Sequence, residues 1–301
     1  MKATYLLLSL VIFMTVTFSV FGQEQPKTIK KISIHDIYIQ TGMRSEHNAA
    51  GTLEDFYTLA PKSVLLNTDL SEYSQSKGFN YAINNMFSVN LGIQFSDKQK
   101  TTYKTNPLLR LGFSYFSGTT LTSNLRNEYR KPYDTLTSAQ TGQTTYLDSV
   151  TTNEYRINYS SEQLRFDGSL IFRTNPDARW SLFAGIGISA GVSINANTDI
   201  NYNKFTGIEP FTANDNLFTS YNYSSSDNRN NEQFRNKNNF GASVFTPMGV
   251  DFRIGKKREF WKQMHLFYEL RPGINITSIP ELRTITNANV QHGFGIRVSW
   301  N

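Results

Sequence analysis

The sequence of 301 residues contains no cysteine and only four histidines. The absence of cysteine excludes a disulfide framework, a thiolate metal site, a cysteine nucleophile and a lipid-modified N-terminal cysteine. After residue 22 the chain also lacks any run of about 18 apolar residues, which a membrane-spanning helix would need. A net charge of +6 comes from scattered lysine and arginine. Because a nucleic-acid surface would gather these residues on one face, we predict no nucleic-acid partner.

Residues 1–22 have the pattern of a secretory signal peptide. Lys2 precedes a continuous apolar core, and Gly22 is a small residue before a cleavage site at Gln23. The alternative is a transmembrane anchor, which the absence of a second apolar span disfavours. Export leaves three destinations for residues 23–301: secretion, the periplasm or an outer-membrane β-barrel.

Residues 180–194, WSLFAGIGISAGVSI, alternate with a period of two. Even positions are apolar or small, whereas odd positions are mostly serine and glycine. This period predicts a β-strand. One apolar face opposite a small polar face, with tryptophan at the start, is typical of a transmembrane strand. Seven other stretches alternate similarly: 32–42, 86–95, 108–116, 163–173, 241–254, 264–276 and 289–300.

Eight such stretches predict an all-β chain that forms a membrane-spanning antiparallel up-and-down β-barrel. Ten strands are the alternative, if residues 150–159 or part of 43–81 also pair within the membrane. Long polar connections follow the odd-numbered strands, except the last of them, and short ones follow even-numbered strands, which places both termini on the periplasmic side. The predicted extracellular loops span about 43–83, 117–162 and 195–239.

Ten charged residues have the inward parity of these strands. A charge that faces lipid near the bilayer centre costs about 2–4 kcal/mol, so alternation places these residues in the lumen. There they must pair or stay hydrated. We expect a network that plugs the barrel, because eight strands leave little free bore; a narrow, anion-preferring pore is the alternative. The residues are Asp36, Arg110, Arg165, Asp167, Arg173, Asp251, Arg253, Glu269, Arg271 and Arg297.

No spacing indicates a metal site, a phosphate-binding glycine loop or a catalytic carboxylate pair. We therefore predict no cofactor, no metal and no catalytic residue. An enzyme at the outer rim that uses His47, with Ser45 nearby, is the alternative, whereas His292 has the lipid-facing parity. Weak calcium binding by residues 224–231 is a further alternative to a solvated loop.

Aromatic residues in the polar connections are candidates for contact with a partner. They could equally pack within the loops or against the membrane interface. These residues are Phe211, Phe218, Tyr221, Tyr223 and Phe234.

The signal peptide, the eight alternating strands and the final strand GFGIRVSW resemble the small outer-membrane β-barrels of Gram-negative bacteria. The glycine-containing strands and long asparagine-rich loops are most similar to the PorT-like type. Members usually end on the aromatic residue, whereas here Asn301 follows Trp300. The resemblance implies outer-membrane lipid, the barrel insertion machinery and other envelope proteins as partners, and a terminal insertion signal formed by Phe294, Ile296, Val298 and Trp300. We expect a non-enzymatic structural or interaction role through the surface loops, as in a subunit of an envelope or secretion assembly.

Overall fold

The structure is a computed structural model that describes residues 33–75, 81–94, 107–175, 178–210, 225–255 and 257–300. The predicted signal peptide, the turn at 96–106 and Asn301 lie outside the described residues. Within these ranges, no helix has the length and apolarity needed to cross a membrane.

Strands make up about three quarters of the described residues, which confirms the all-β prediction. The two helices are short: α1 (Leu53–Leu59) and α2 (Glu259–Gln263). The strands are β1 (Ser33–His47), β2 (Ala49–Ala50), β3 (Ser74–Gln75), β4 (Tyr81–Gln94), β5 (Leu108–Thr137), β6 (Thr144–Arg173), β7 (Trp180–Pro210), β8 (Ser225–Arg235), β9 (Phe240–Phe245), β10 (Met248–Arg253), β11 (Met264–Ser278) and β12 (Thr284–Ser299).

The main strands pair into a closed circuit. They neighbour each other in the order β10, β11, β12, β1, β4, β5, β6, β7. β7 also pairs with β10, from Ala184 opposite Met248 to Trp180 opposite Phe252, so the two ends of the path meet. Every strand of this circuit therefore has hydrogen-bonded neighbours on both sides, and one face of the sheet is enclosed.

The predicted strand 241–254 is interrupted at Thr246 and Pro247, which separate β9 from β10. Proline has no N–H to donate to a ladder, and Pro272 lies on the facing strand β11. Both proline carbonyls accept hydrogen bonds here: Thr246 N donates to Pro272 O at 2.9 Å, and Gly185 N donates to Pro247 O at 2.8 Å. The sheet thus stays connected across the break.

Much of the sequence predicted as loops is sheet instead. β5 and β6 are each 30 residues long and β7 is 31, so they continue far into the ranges 117–162 and 195–239. β1 likewise continues to His47, and β4 begins at Tyr81. Backbone ladders can continue through polar residues, particularly threonine, tyrosine and asparagine opposite one another, once a hairpin has fixed the register. We call the parts of β5–β8 that lie beyond the circuit, within the ranges 117–162 and 195–239, the extension.

Residues 49–75, which we call the cap, are also ordered where a loop was predicted. β2 pairs with β5 in parallel, Ala49 opposite Leu121, and β3 pairs with β5 antiparallel. α1 begins with a capping box: Thr52 N donates to Asp55 Oδ2 at 2.9 Å, and Asp55 N donates to Thr52 Oγ1 at 3.2 Å. These two bonds satisfy donors that a helix start leaves free.

An apolar core joins the cap to the inner face of the extension. Polar contacts also hold the cap: Ser63 Oγ donates to Glu232 Oε2 on β8 at 2.5 Å, and Arg283 Nη2, between β11 and β12, donates to Ala50 O at 2.8 Å. The cap therefore lies across this end of the enclosed interior. The core consists of Phe56, Leu59, Ala60, Leu66, Leu70, Leu121, Leu125, Tyr155, Ile157, Tyr159, Ala196, Ile200, Ile279 and Ile285.

Three tyrosines stack where the cap meets the extension. The ring centroids of Tyr73 and Tyr155 lie 5.3 Å apart, and those of Tyr155 and Tyr202 lie 4.9 Å apart. Burial, together with the neighbouring phenols of Tyr155 and Tyr202, raises the pKa of the Tyr73 phenol to about 12. The Tyr73 side chain is therefore neutral at physiological pH, as packing against apolar residues requires.

Replacing Phe56 by alanine should loosen the cap. Phe56 is fully buried in the core, and removal of a buried phenyl ring costs about 3–5 kcal/mol. Hydrogen exchange of the α1 amides measures the local free energy of opening. Val64→Ala, at an exposed position of the same cap, should change it by no more than about 0.5 kcal/mol. Equal effects of the two substitutions would contradict the packing described.

Candidate functional site

The two faces of the circuit have the reverse of the usual polarity of a soluble protein. Large apolar side chains on the outer face are exposed to 63% at Leu182, 60% at Ile186 and 68% at Phe294. The inner face buries charged and polar side chains, with Arg271 and Arg297 each 1% exposed. Soluble proteins rarely bury an arginine or expose a continuous apolar band. The remaining large members of the outer band are Ile34, Ile39, Met43, Ile83, Leu91, Phe113, Leu164, Phe166, Phe172, Trp180, Ile188, Val192, Ile194, Phe240, Val244, Met248, Leu266, Ile274, Ile276, Val290 and Ile296.

The centre of the interior holds one carboxylate between two guanidinium groups. Arg110 grips Glu269 with both terminal nitrogens, Nη1 to Oε2 at 2.6 Å and Nη2 to Oε1 at 3.1 Å. Arg271 donates from Nε to the same Glu269 carboxylate and from Nη2 to Gln40 Oε1 at 2.9 Å. Its Nη1 also lies 3.5 Å from Asp167 Oδ2. Bidentate arginine–carboxylate pairs of this kind fix geometry as well as charge.

A second cluster lies near the short turns at 174–179 and 254–258. Arg297 donates to two carboxylates, from Nη1 to Asp36 Oδ1 at 2.7 Å and from Nε to Asp251 Oδ2 at 2.8 Å. His265 Nδ1 lies 2.6 Å from Asp251 Oδ1. Arg173 Nη2 is 3.8 Å from Asp251 Oδ2. The Arg110 guanidinium stacks 5.4 Å above the Tyr38 ring and so links this cluster to the centre.

A third cluster lies below the cap. Arg44 Nη2 donates to Glu46 Oε1 at 2.8 Å, and Arg165 Nη1 donates to Asn275 Oδ1 at 2.8 Å. Asn275 Nδ2 in turn donates to Glu46 Oε2 at 3.2 Å. The absence of a side chain at Gly241 makes room for the arginine, because a Cβ there would lie 2.4 Å from Arg165 Nη2.

The ten charged residues that were predicted to face inward differ in how far they are buried. Arg173 and Arg253 are half-buried near the short turns. Arg44 and Glu46, which the sequence analysis placed in a loop, join the network, so the buried arginines and acids are equal in number. The fully buried members are Asp36, Arg110, Arg165, Asp167, Asp251, Glu269, Arg271 and Arg297, together with Arg44 and Glu46.

A signal for the two missed residues was present in the sequence. Asp36, Tyr38 and Gln40 have the inward parity of β1, and the same alternation continues through Gly42 to Arg44 and then Glu46. The outward positions of this continuation carry few apolar residues, which is why the periodicity ended there. Pairing with β12 and β4 along its whole length extends the strand.

The candidate rim residues are not assembled into a catalytic group. His47 is exposed at the end of β1, and the structure describes no hydrogen bond between it and Ser45. The ring of His292 is half-buried, 6.5 Å from the Tyr268 ring. Among the described residues, no group of three or more histidine, aspartate or glutamate side chains could hold a metal ion.

The aromatic residues proposed for partner contacts have different placements. Phe234 packs against the apolar core under the cap, so it is a core residue and not a free contact. Phe211, Phe218, Tyr221 and Tyr223 lie outside the described residues. The sequence analysis missed the tip of the β5–β6 hairpin, where Tyr129, Tyr133, Leu136 and Tyr146 are all more than half exposed.

The proposed terminal insertion signal lies on a strand with two partners. β12 pairs with both β1 and β11, and Trp300 N donates to His35 O at 2.8 Å. Phe294 and Ile296 belong to the outer apolar band, whereas Val298 and Trp300 are half-buried.

Neither a protein-family model nor a curated protein matches the chain. Among solved structures, it matches Neisserial surface protein A at 10% identity over 88% of this chain and 97% of that one, with a TM-score of 0.29. It matches Ail, the attachment invasion locus protein of Yersinia pestis, at 9% identity over 88% and 99%, with a TM-score of 0.25. It matches the transport unit of the autotransporter AIDA-I from Escherichia coli at 12% identity over 96% of this chain and 97% of that one, with a TM-score of 0.19.

Replacing Glu269 by glutamine should destabilise the folded chain by about 3–5 kcal/mol, because it leaves Arg110 and Arg271 buried without their shared carboxylate. Urea unfolding in detergent micelles, followed by tryptophan fluorescence, measures the change. Glu281→Gln removes a glutamate that pairs with Lys237 at the exposed surface, and should cost no more than about 1 kcal/mol. Similar values for the two variants would argue against a structural role for the central cluster.

Proposed function

We propose that the chain is an outer-membrane β-barrel of eight strands, PorT-like in type, which anchors a rigid extension at the cell surface for binding to other envelope components. The observation that carries the proposal is the reversed polarity of the circuit. Twelve strand segments reduce to eight passes when β8, β9 and β10 are counted as one interrupted strand and β2 and β3 as parts of the cap.

A bilayer accounts for both faces at once. Exposed apolar side chains cost free energy in water at about 25 cal/mol per Å², whereas lipid tails solvate them. Residues Trp180 to Ile194 of β7 keep this outer band for 15 residues, more than the 9–11 that a tilted strand needs to cross the hydrocarbon core. A closed circuit leaves no unpaired sheet edge in lipid, and insertion machinery and outer-membrane lipid follow as partners.

The interior favours an anchor over a pore. Side chains from β1, β5, β6 and β11 join across it in the central cluster, and the cap lies over one end. The extension, by contrast, places a large ordered surface outside the membrane, which favours a non-enzymatic interaction role.

The tip of the extension is the part best suited to a protein partner in the envelope. Tyr129, Tyr133 and Tyr146 are exposed on one hairpin, and tyrosine is enriched in interface hot spots. The hairpin is held by an antiparallel ladder whose register shifts at Tyr133, between Pro132 and Asp134. A rigid, tyrosine-rich tip loses little conformational entropy on binding.

Spin labels should report the location directly. Because the chain has no cysteine, single cysteines at Ile186, Leu266 and Ile296 each give a unique label. In reconstituted bilayers these labels should be accessible to oxygen and protected from a water-soluble nickel chelate. A label at Tyr133 should show the opposite. Nickel access at the three outer-band positions would rule out a membrane-spanning circuit.

Photocrosslinking should identify the tip as a contact surface. A crosslinking residue at Thr135 should give one discrete protein adduct in intact cells. The same residue at Lys62, an exposed position of the cap, serves as the control and should not give that adduct. Serine at Tyr129, Tyr133 and Tyr146 together should reduce the adduct at least tenfold while membrane insertion is retained. An undiminished adduct would remove the tip from the proposal.

A further inference from the structure

The outer face of the extension is a polar sheet built from four strands. Cross-strand partners align in rungs, and neighbouring strands lie about 4.8 Å apart. Taken in the order β5, β6, β7, β8, one central rung consists of Arg126, Glu154, Asn203 and Arg229. The next consists of Asn124, Arg156, Asn201 and Asn231.

Part of this face is a depression with side chains free to bind. The depression has a volume of about 710 Å³, and its lining includes Arg156, Arg229, Phe205 and one carboxylate, that of Glu154. Arg156 and Arg229 form no ion pair with another described residue, and Asn201 and Asn231 form no side-chain hydrogen bond with one. Arg126, next to them, differs because its Nη2 lies 2.9 Å from Glu128 Oε2. Two guanidinium groups therefore face the depression without a bound carboxylate.

This face is continuous with the outer apolar band. On β6, the side chains of Phe166 and Leu164 belong to the band, and Asn158 and Arg156 follow at even positions of the same strand. The pairing of β6 with β7 changes register at Glu162, but β6 itself keeps its alternation, since Tyr159 and Ile157 are buried on the other face. The free arginine of β6 thus projects toward the space above the surrounding lipid.

We propose that this face binds the phosphorylated saccharides of lipopolysaccharide in the surrounding outer leaflet. The proposal rests on the outer-membrane location proposed above. Eight residues separate Leu164 from Arg156, a distance of about 26 Å along the strand. At a strand tilt near 40°, this distance places Arg156 about 20 Å above the hydrocarbon. Phospholipid headgroups extend only about 5–8 Å beyond the hydrocarbon, so a ligand at this height must be carried on a saccharide chain.

The side chains suit that ligand. Arginine binds phosphate through two parallel N–H donors, which a sugar phosphate would satisfy. The asparagine amides both donate and accept, and therefore match the hydroxyl groups of a sugar. The Phe205 ring offers an apolar surface for the C–H face of a pyranose.

The test uses the full mature chain in nanodiscs and fluorescent lipopolysaccharide that carries its phosphorylated core saccharide. Replacing both arginines, R156Q with R229Q, should weaken binding at least tenfold. The control K131Q with K204Q removes the same charge from positions that alternate to the opposite face, and should leave binding unchanged. Lipopolysaccharide stripped of phosphate should bind the unaltered chain at least tenfold more weakly.

Unchanged binding by the arginine variant, equal weakening by the control or equal affinity for the dephosphorylated ligand would each overturn the proposal. All variants are first shown to insert by protection of the spin label at Ile186 from the nickel chelate. A variant that inserts but binds normally therefore refutes the saccharide site alone, whereas a chain that fails to insert refutes the location.

Discussion

The structure depends on compensation of charge inside a closed sheet. Arg110, Glu269 and Arg271 are almost fully removed from solvent, and burying unpaired charges of this kind would cost several kcal/mol each. Their bidentate pairing is possible only because β5 and β11, distant in sequence, face each other across the interior. Closure of the circuit is therefore what lets strands distant in sequence complete the neutralisation of the buried charges.

The same strands serve two environments along their length. Within the circuit, β6 and β7 place apolar side chains outward and polar ones inward; in the extension the order reverses, because the cap supplies an apolar core on the inner side. The pairing of β6 with β7 shifts register at this boundary: Glu162 pairs with Asn195, the next residue of β6 pairs with Ser193, and Ile194 between them is skipped. The shift reverses which positions of β7 face outward. Such a bulge re-aims a strand without ending its ladder, which lets one continuous sheet serve both environments.

The alternation within each strand predicted most of the circuit and most of its inward charges, since a period of two assigns every side chain to a face. It failed where the outward side chains ceased to be apolar. Arg44 and Glu46 were assigned to a loop for that reason, and the long hairpin of β5 and β6 was largely taken as connection. Where both faces of a strand are polar, the sequence shows no alternation that would predict the strand. Such a strand forms because of its cross-strand partners, which a single stretch of sequence does not show.

The sequence by itself determined the all-β class, the positions of the alternating strands and which charged side chains share a face, because these follow from local periodicity. Only the tertiary structure decided which carboxylate each arginine binds, that the cap and extension share an apolar core, and that Arg156 and Arg229 lie free on one polar face. Those features arise from residues far apart in the chain, and register and closure alone bring such residues within reach of one another.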